Sequence, residues 1–147
     1  MRWLALLPAS VAGWFLALFI GLIVHSAVES LCPRAQMESG MCVAPWFPHA
    51  SAAVSAFGAG LAAVLVMTFA VLAAPAHRIV VARTAFVAGF FVAVYMVWHT
   101  SAIAEFVSAV SCGLITLYVL QRYLEHAGSP SNAFESRPPS AAAQRQR

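Results

Sequence analysis

The sequence predicts an all-α integral membrane protein, a four-transmembrane-helix bundle with short loops and a disordered C-terminal tail. Three observations carry that expectation. Hydrophobic residues make up 62% of the 147 residues and charged ones 9%, with a mean hydropathy of +0.83; soluble domains carry about 25% charged residues. Apolar runs near the ~20 residues needed to cross a ~30 Å hydrocarbon core recur along the chain. All eight basic residues are arginines, and most of them flank those runs.

The first run, Trp3 to Val24, contains no charge. A signal peptide would have an apolar core of only ~7–15 residues and a small-residue cleavage site, so this run reads as an uncleaved span over about 3–25. Pro8 falls in its first turns, where missing amide donors matter little. A polar interruption follows, the loop 26–49, with the sequence His25-Ser-Ala-Val-Glu29 at its start and Pro48-His49 at its end. The second span covers about 50–74, with Ser51 as a candidate helix cap and Pro75 as its stop.

From Ile79 to Leu120 the chain is almost continuously apolar. One helix over that stretch would extend ~60 Å, about twice the hydrocarbon thickness. The polar cluster His99-Thr100-Ser101 with Glu105 divides it into spans of about 80–99 and 103–121. Ser101 reads as the cap of the fourth helix, and Glu105 lies in its first turn, where the helix dipole favours a negative charge. Residues 1–127 thus form one transmembrane domain. Residues 128–147, rich in Gly, Ser, Pro, Gln and Arg, cannot bury enough surface to offset ordering entropy and read as a disordered cytoplasmic tail.

Small residues recur at four-residue intervals where helices would approach: Ala5, Ala9, Gly13, Ala17 and Gly21 in the first span, Ser51, Ser55, Ala59 and Ala63 in the second, with Ala52, Ala56 and Gly60 beside them, and Ser108, Cys112 and Thr116 in the fourth. In lipid, where apolar burial drives nothing, close backbone approach is what holds helices together.

The candidate chemistry gathers at one end of the bundle. The first stripe continues to His25 and Glu29, one turn apart. His49 precedes the second span at the same level, and His99 and Glu105 bracket the other turn on that side. A zinc-like divalent metal could take His25, Glu29, His49 and His99, since imidazole and carboxylate suit it. Haem held by His25 and His99, a quinone, or a proton relay through His25, Glu29 and Glu105 are the other site-bearing readings. The plain alternative is that polar residues simply end apolar spans at the water interface. No tight signature such as H-E-x-x-H, no catalytic motif and no phosphate-binding loop is present. Cys32 and Cys42 are expected to pair as a structural disulfide in an oxidising compartment; a thiol-exchange enzyme would need a C-x-x-C pair or two external pairs. Trp46 and Phe47 are candidate partner contacts or members of an interfacial aromatic belt.

The net charge of +3 is explained by span-flanking arginines and does not indicate nucleic acid. The composition, alanine-rich with neither lysine nor aspartate, reads as bacterial and the membrane as an inner membrane. The expected role is a non-catalytic accessory or assembly subunit of a larger membrane complex, associating with other subunits or with itself. Arg2, Arg78, Arg83 and Arg122 fall on one side of a four-span topology and Arg34 on the other, which places both termini in the cytoplasm and loop 26–49 outside. A reporter enzyme fused after Gln121 is expected to be active only if it functions in the cytoplasm. Activity confined to a reporter that requires the external compartment would refute that sidedness.

Overall fold

The computed structural model describes residues 5–74 and 77–127; the expected tail at 128–147, Arg2 and the Pro75 stop lie outside the described residues. Four apolar helices dominate: α1 (Leu6–Ser30), α2 (Phe47–Ala73), α3 (Arg78–Thr100) and α4 (Ile103–Ala127). Each is long and apolar enough to cross a membrane. The shortest has 23 residues, which at 1.5 Å per residue gives about 35 Å against a ~30 Å hydrocarbon core. The protein is an all-α, membrane-spanning four-helix bundle. Loop 31–46 and the Ser101–Ala102 turn lie at one end, the loop end; the first turn of α1, the last of α2, the first of α3 and the last of α4 lie at the other, the terminal end.

The boundaries depart from the sequence expectation for identifiable reasons. Helix α1 runs past residue 25 to Ser30, taking His25 and Glu29 into its last turns. Helix α2 begins at Phe47, because Pro48 fits a first turn whose amides need no partner within the helix. Ser51 is therefore an interior helical residue and not a cap. Ser101 does not cap α4 either. It adopts a left-handed conformation, φ 55°, and its N–H donates to the Val97 carbonyl at 2.9 Å, ending α3. The turn contains neither Gly nor Pro, yet a single left-handed residue suffices to reverse the chain. Helix α4 continues beyond residue 121, where Arg122 donates from Nε to the Tyr118 hydroxyl at 3.3 Å.

Helix α2 is the hub. It packs most extensively on α1 and then on α4, while α3 packs on both α4 and α2. The non-exposed residues of α1 are Leu6, Ala9, Ser10, Gly13, Ala17, Ile20, Gly21, Val24, His25, Val28 and Glu29. They form a band that holds the four-residue stripe from Ala9 to Glu29 and widens to one flank at Leu6 and Ser10 and to the other at Ile20, Val24 and Val28, as expected where each four-residue step overshoots a turn by ~40°. Gly13 and Ala17 are its most buried members.

At Gly13 an added Cβ would lie 3.0 Å from the backbone oxygen of Leu65 on α2. At Gly60 on α2 it would lie 2.7 Å from Ser108 Oγ and 2.9 Å from Cys112 Sγ on α4. These two glycines let α1 and α4 approach α2. Of the second-span stripe, Ser55 is exposed and Ala59 and Ala63 are half-buried, so only part of it faces a neighbour. Toward the terminal end Ala70, Ala74 and Val81 form a small buried cluster, with Leu6 and Ala85 against it.

The threonine hydroxyls within the helices do not need water. Thr68 donates to the Val64 carbonyl, Thr84 to Val81, Thr100 to Met96 and Thr116 to Cys112, all within their own helices. An unsatisfied donor in hydrocarbon costs several kcal/mol, roughly the loss of a full hydrogen bond.

A paired substitution tests the close approach. Gly13→Leu is expected to lower bundle stability by about 1–3 kcal/mol through overpacking against backbone that cannot yield. Gly21→Leu, where an added Cβ meets nothing within 4 Å, is expected to be neutral or stabilising by up to ~1 kcal/mol from helix propensity. Unfolding in mixed micelles reads both. Equal effects at the two positions would contradict the assigned interface.

Candidate functional site

The loop end is built on a cysteine-closed hairpin. Cys32 is disulfide-bonded to Cys42, with Cα atoms 6.0 Å apart. Between them a single 3₁₀ turn at Arg34–Gln36 leads into two short antiparallel strands, β1 (Met37–Glu38) and β2 (Met41–Cys42), pairing Met37 with Cys42 and Glu38 with Met41. The tip residues Ser39 and Gly40 both have positive φ, 51° and 83°. A two-residue turn of that hand matches the twist of the strands it joins, and glycine adopts it without steric cost. Cys42 and Ala44 are buried, so the second strand rests on the bundle. Leu31, Met37, Met41, Val43 and Trp46 are exposed around it.

The groups expected to converge here do not form one ion site. Among the described residues, no three His, Cys, Asp or Glu side chains come close enough together to hold a metal ion. The zinc-like set His25, Glu29, His49 and His99 is therefore not assembled. The reason is where each ring goes. His25, half-buried, packs edge-on against Phe47 at a centroid distance of 6.0 Å. Phe47 packs in turn on Trp46, also at 6.0 Å. His99 is exposed and tilts over Tyr95 of its own helix at 4.5 Å. His49 is exposed on the first turn of α2. Glu29 shares the half-buried face of α1 with His25.

The two histidines considered for haem sit on α1 and α3, which are not among the extensively packed helix pairs. Each ring has its own aromatic neighbour. Of the two candidate partner contacts, Trp46 is exposed, whereas Phe47 is half-buried between His25 and Trp46. Cys112 is a free cysteine facing Gly60, a small packing residue within the α2–α4 contact.

Glu105 belongs to a different feature, which sequence reasoning did not find. It lines an apolar groove of about 600 Å³ that runs down the bundle. All four helices contribute to its wall, with Ser10 and Trp14 from α1, Met67 from α2, Phe86 and Gly89 from α3, and Glu105 from α4. Glu105 is the one ionisable side chain in that wall. It lies in the first turn of α4, half-buried, at the loop end of the groove. The only signal in the sequence is the run of small residues on α3 and α4, which leaves room beside bulky Phe86 and Trp14.

No protein-family model matches the chain, and neither does any curated protein or solved structure.

The disulfide gives a local prediction. Closing so short a loop contributes ~3 kcal/mol on the chain-entropy estimate. Reduction, or a Cys32→Ser/Cys42→Ser double substitution, is expected to speed tryptic cleavage after the exposed Arg34 by up to roughly 100-fold, because the hairpin then opens locally. The helices, which are packed through other contacts, are expected to keep their helical content. Unchanged cleavage on reduction would show that the hairpin holds without its cross-link.

Proposed function

We propose that this chain is a non-catalytic accessory or assembly subunit of a larger membrane complex, presenting its cysteine-closed hairpin to a partner subunit. The observation that carries this reading is the apolar surface of the hairpin. Leu31, Met37, Met41, Val43 and Trp46 are exposed on a segment that lies beyond the spans, with Met41 67% exposed. Lipid-facing residues within a span need no partner, but large apolar side chains grouped on a constrained loop mark an interaction surface. Methionine suits such a surface because its unbranched, polarisable side chain adapts to what it meets. Trp46 supplies the kind of aromatic anchor that dominates interface energetics.

Sidedness is part of the same proposal. Arg78, Arg83 and Arg122 lie at the terminal end and Arg34 at the loop end. The positive-inside rule then supports cytoplasmic termini and an external hairpin, in which an oxidising compartment maintains the Cys32–Cys42 bond. With an alanine-rich composition that lacks lysine and aspartate, the membrane is read as a bacterial inner membrane.

A second reading, a site-bearing membrane protein, draws support from the groove and Glu105 more than from the rim histidines. Apolar pockets of ~300–1,000 Å³ with a few polar groups are the usual form of small-molecule sites. In that reading the groove would take a quinone or other membrane-dissolved molecule.

The test of the subunit reading is native purification from the membrane in which the chain is expressed, followed by mass determination. Wild type is expected to run as a complex of defined stoichiometry with another membrane protein or with itself. The double substitution Met41→Ser/Trp46→Ser is expected to release the lone chain with unchanged helicity and weaken association by at least about tenfold, the cost of one or two hot-spot side chains. A wild-type chain that stays monomeric in native membranes would sink the proposal.

A further inference from the structure

We propose that the groove holds one hydrocarbon chain of a lipid from the loop-end leaflet, with that lipid's primary-amine headgroup set against the Glu105 carboxylate. The inference is independent of the subunit reading.

Its first support is width. On α3 the groove wall extends from Ala85 to Val97, about 18 Å along a helix. Spread over that length, about 600 Å³ open to the centre of a water molecule gives a mean cross-section of about 33 Å², roughly 6 Å across, or roughly 9 Å between wall surfaces once the water's own radius is added on each side. A helix with its side chains is about 10–12 Å wide. The groove is therefore narrower than a helix and suits extended hydrocarbon.

Depth is the second support. Half of a ~30 Å hydrocarbon core is ~15 Å, so the groove reaches about as far into the membrane as one leaflet does. Glu105, in the first turn of α4, sits at the loop end of the groove, the level at which that leaflet's headgroups begin. Ser10 and Trp14 lie further down, toward the terminal end.

Charge decides the headgroup. Glu105 is the groove's one ionisable side chain, and an ionised carboxylate only accepts hydrogen bonds. A half-buried carboxylate beside apolar walls is costly unless it is paired. An ethanolamine headgroup brings an ammonium with three N–H donors and pairs with it directly. A choline headgroup carries the same charge but has no N–H to donate, and an anionic glycerol headgroup is repelled. The α3 wall offers space for the chain, since a Cβ built on Gly89 meets no atom within 4 Å.

The experiment uses the full chain reconstituted in vesicles of equal ethanolamine-, choline- and glycerol-headed phospholipids, extracted gently and weighed by native mass spectrometry. One ethanolamine-headed lipid per chain is expected, enriched about tenfold over the choline-headed one, the factor for one charge-assisted hydrogen bond. In Glu105→Gln that preference is expected to fall to near unity. Gly89→Leu, which fills the groove from an open position, is expected to abolish lipid retention with the helical content unchanged. If Gly89→Leu does not fold, the isosteric Glu105→Gln decides alone. Absence of a retained lipid, equal or inverted headgroup preference in wild type, or a preference that survives Glu105→Gln would overturn the proposal. So would a second polypeptide cross-linked at position 89 in place of lipid.

Discussion

Everything in this bundle depends on how closely α2 is approached from two sides. In water, four helices this apolar would collapse on hydrophobic grounds alone. In a membrane that force is absent between helices, since lipid is as apolar as leucine, and stability must come from dispersion between well-fitted surfaces. Gly13 lets α1 come against the backbone of α2 at Leu65, and Gly60 lets Ser108 and Cys112 of α4 come against the backbone of α2. Large side chains are accordingly displaced outward. Phe15, Phe19 and Leu22 on α1 and Phe91 on α3 are exposed, as they should be where the surrounding solvent is hydrocarbon. Among the described residues the buried ones are mostly small, with three alanines within the helices, Ala17, Ala70 and Ala82, and Ala74 just past the end of α2.

That arrangement has consequences at both ends of the molecule. Because α1 leans on α2 while α3 is held by α4 and α2, the bundle is not closed symmetrically, and a groove remains along its interior-facing walls. Its contents bear on stability as much as on function, since an empty apolar groove forfeits contacts that a hydrocarbon chain would restore. At the loop end the chain must travel from α1 to α2, and it does so through a hairpin tied by Cys32–Cys42 and seated by Cys42 and Ala44. A tied hairpin constrains Met41, which would lower the entropy lost on binding the partner proposed above.

Much of the fold was legible in the sequence, and the reasons are physical. Span length and charge depletion are set by the bilayer, so four helices and the division near His99–Glu105 could be read directly. The pairing of Cys32 with Cys42 was expected from their spacing and from the oxidising compartment that the arginine placement suggested. Helix ends were read less well, because water-facing turns can continue a helix once the polar residues there are good helix formers, as α4 does through Gln121 and Arg122 to Ala127. The site was read least well. Residues His25, His49 and His99 were expected at one membrane level, but level alone says nothing about azimuth; Phe47 and Tyr95 engage two of those rings. Glu105 was read as a rim residue by its spacing, and what the spacing did not reveal is that it also lines the groove. Shape complementarity between distant helices, which creates the groove, leaves almost no trace in a linear pattern.

The central claim, that α2 is clasped through direct contact at Gly60, is tested most directly by a double-mutant cycle. Gly60→Ala is measured in the wild-type chain and again in a Ser108→Ala/Cys112→Ala background, which removes the two atoms that the new methyl would strike, at 2.7 and 2.9 Å. The account predicts that Gly60→Ala destabilises the wild-type bundle and is neutral or stabilising in the relieved background, with a coupling of about 0.5–3 kcal/mol as for residues in contact. Additive effects, with the same cost of Gly60→Ala in both backgrounds, would contradict it.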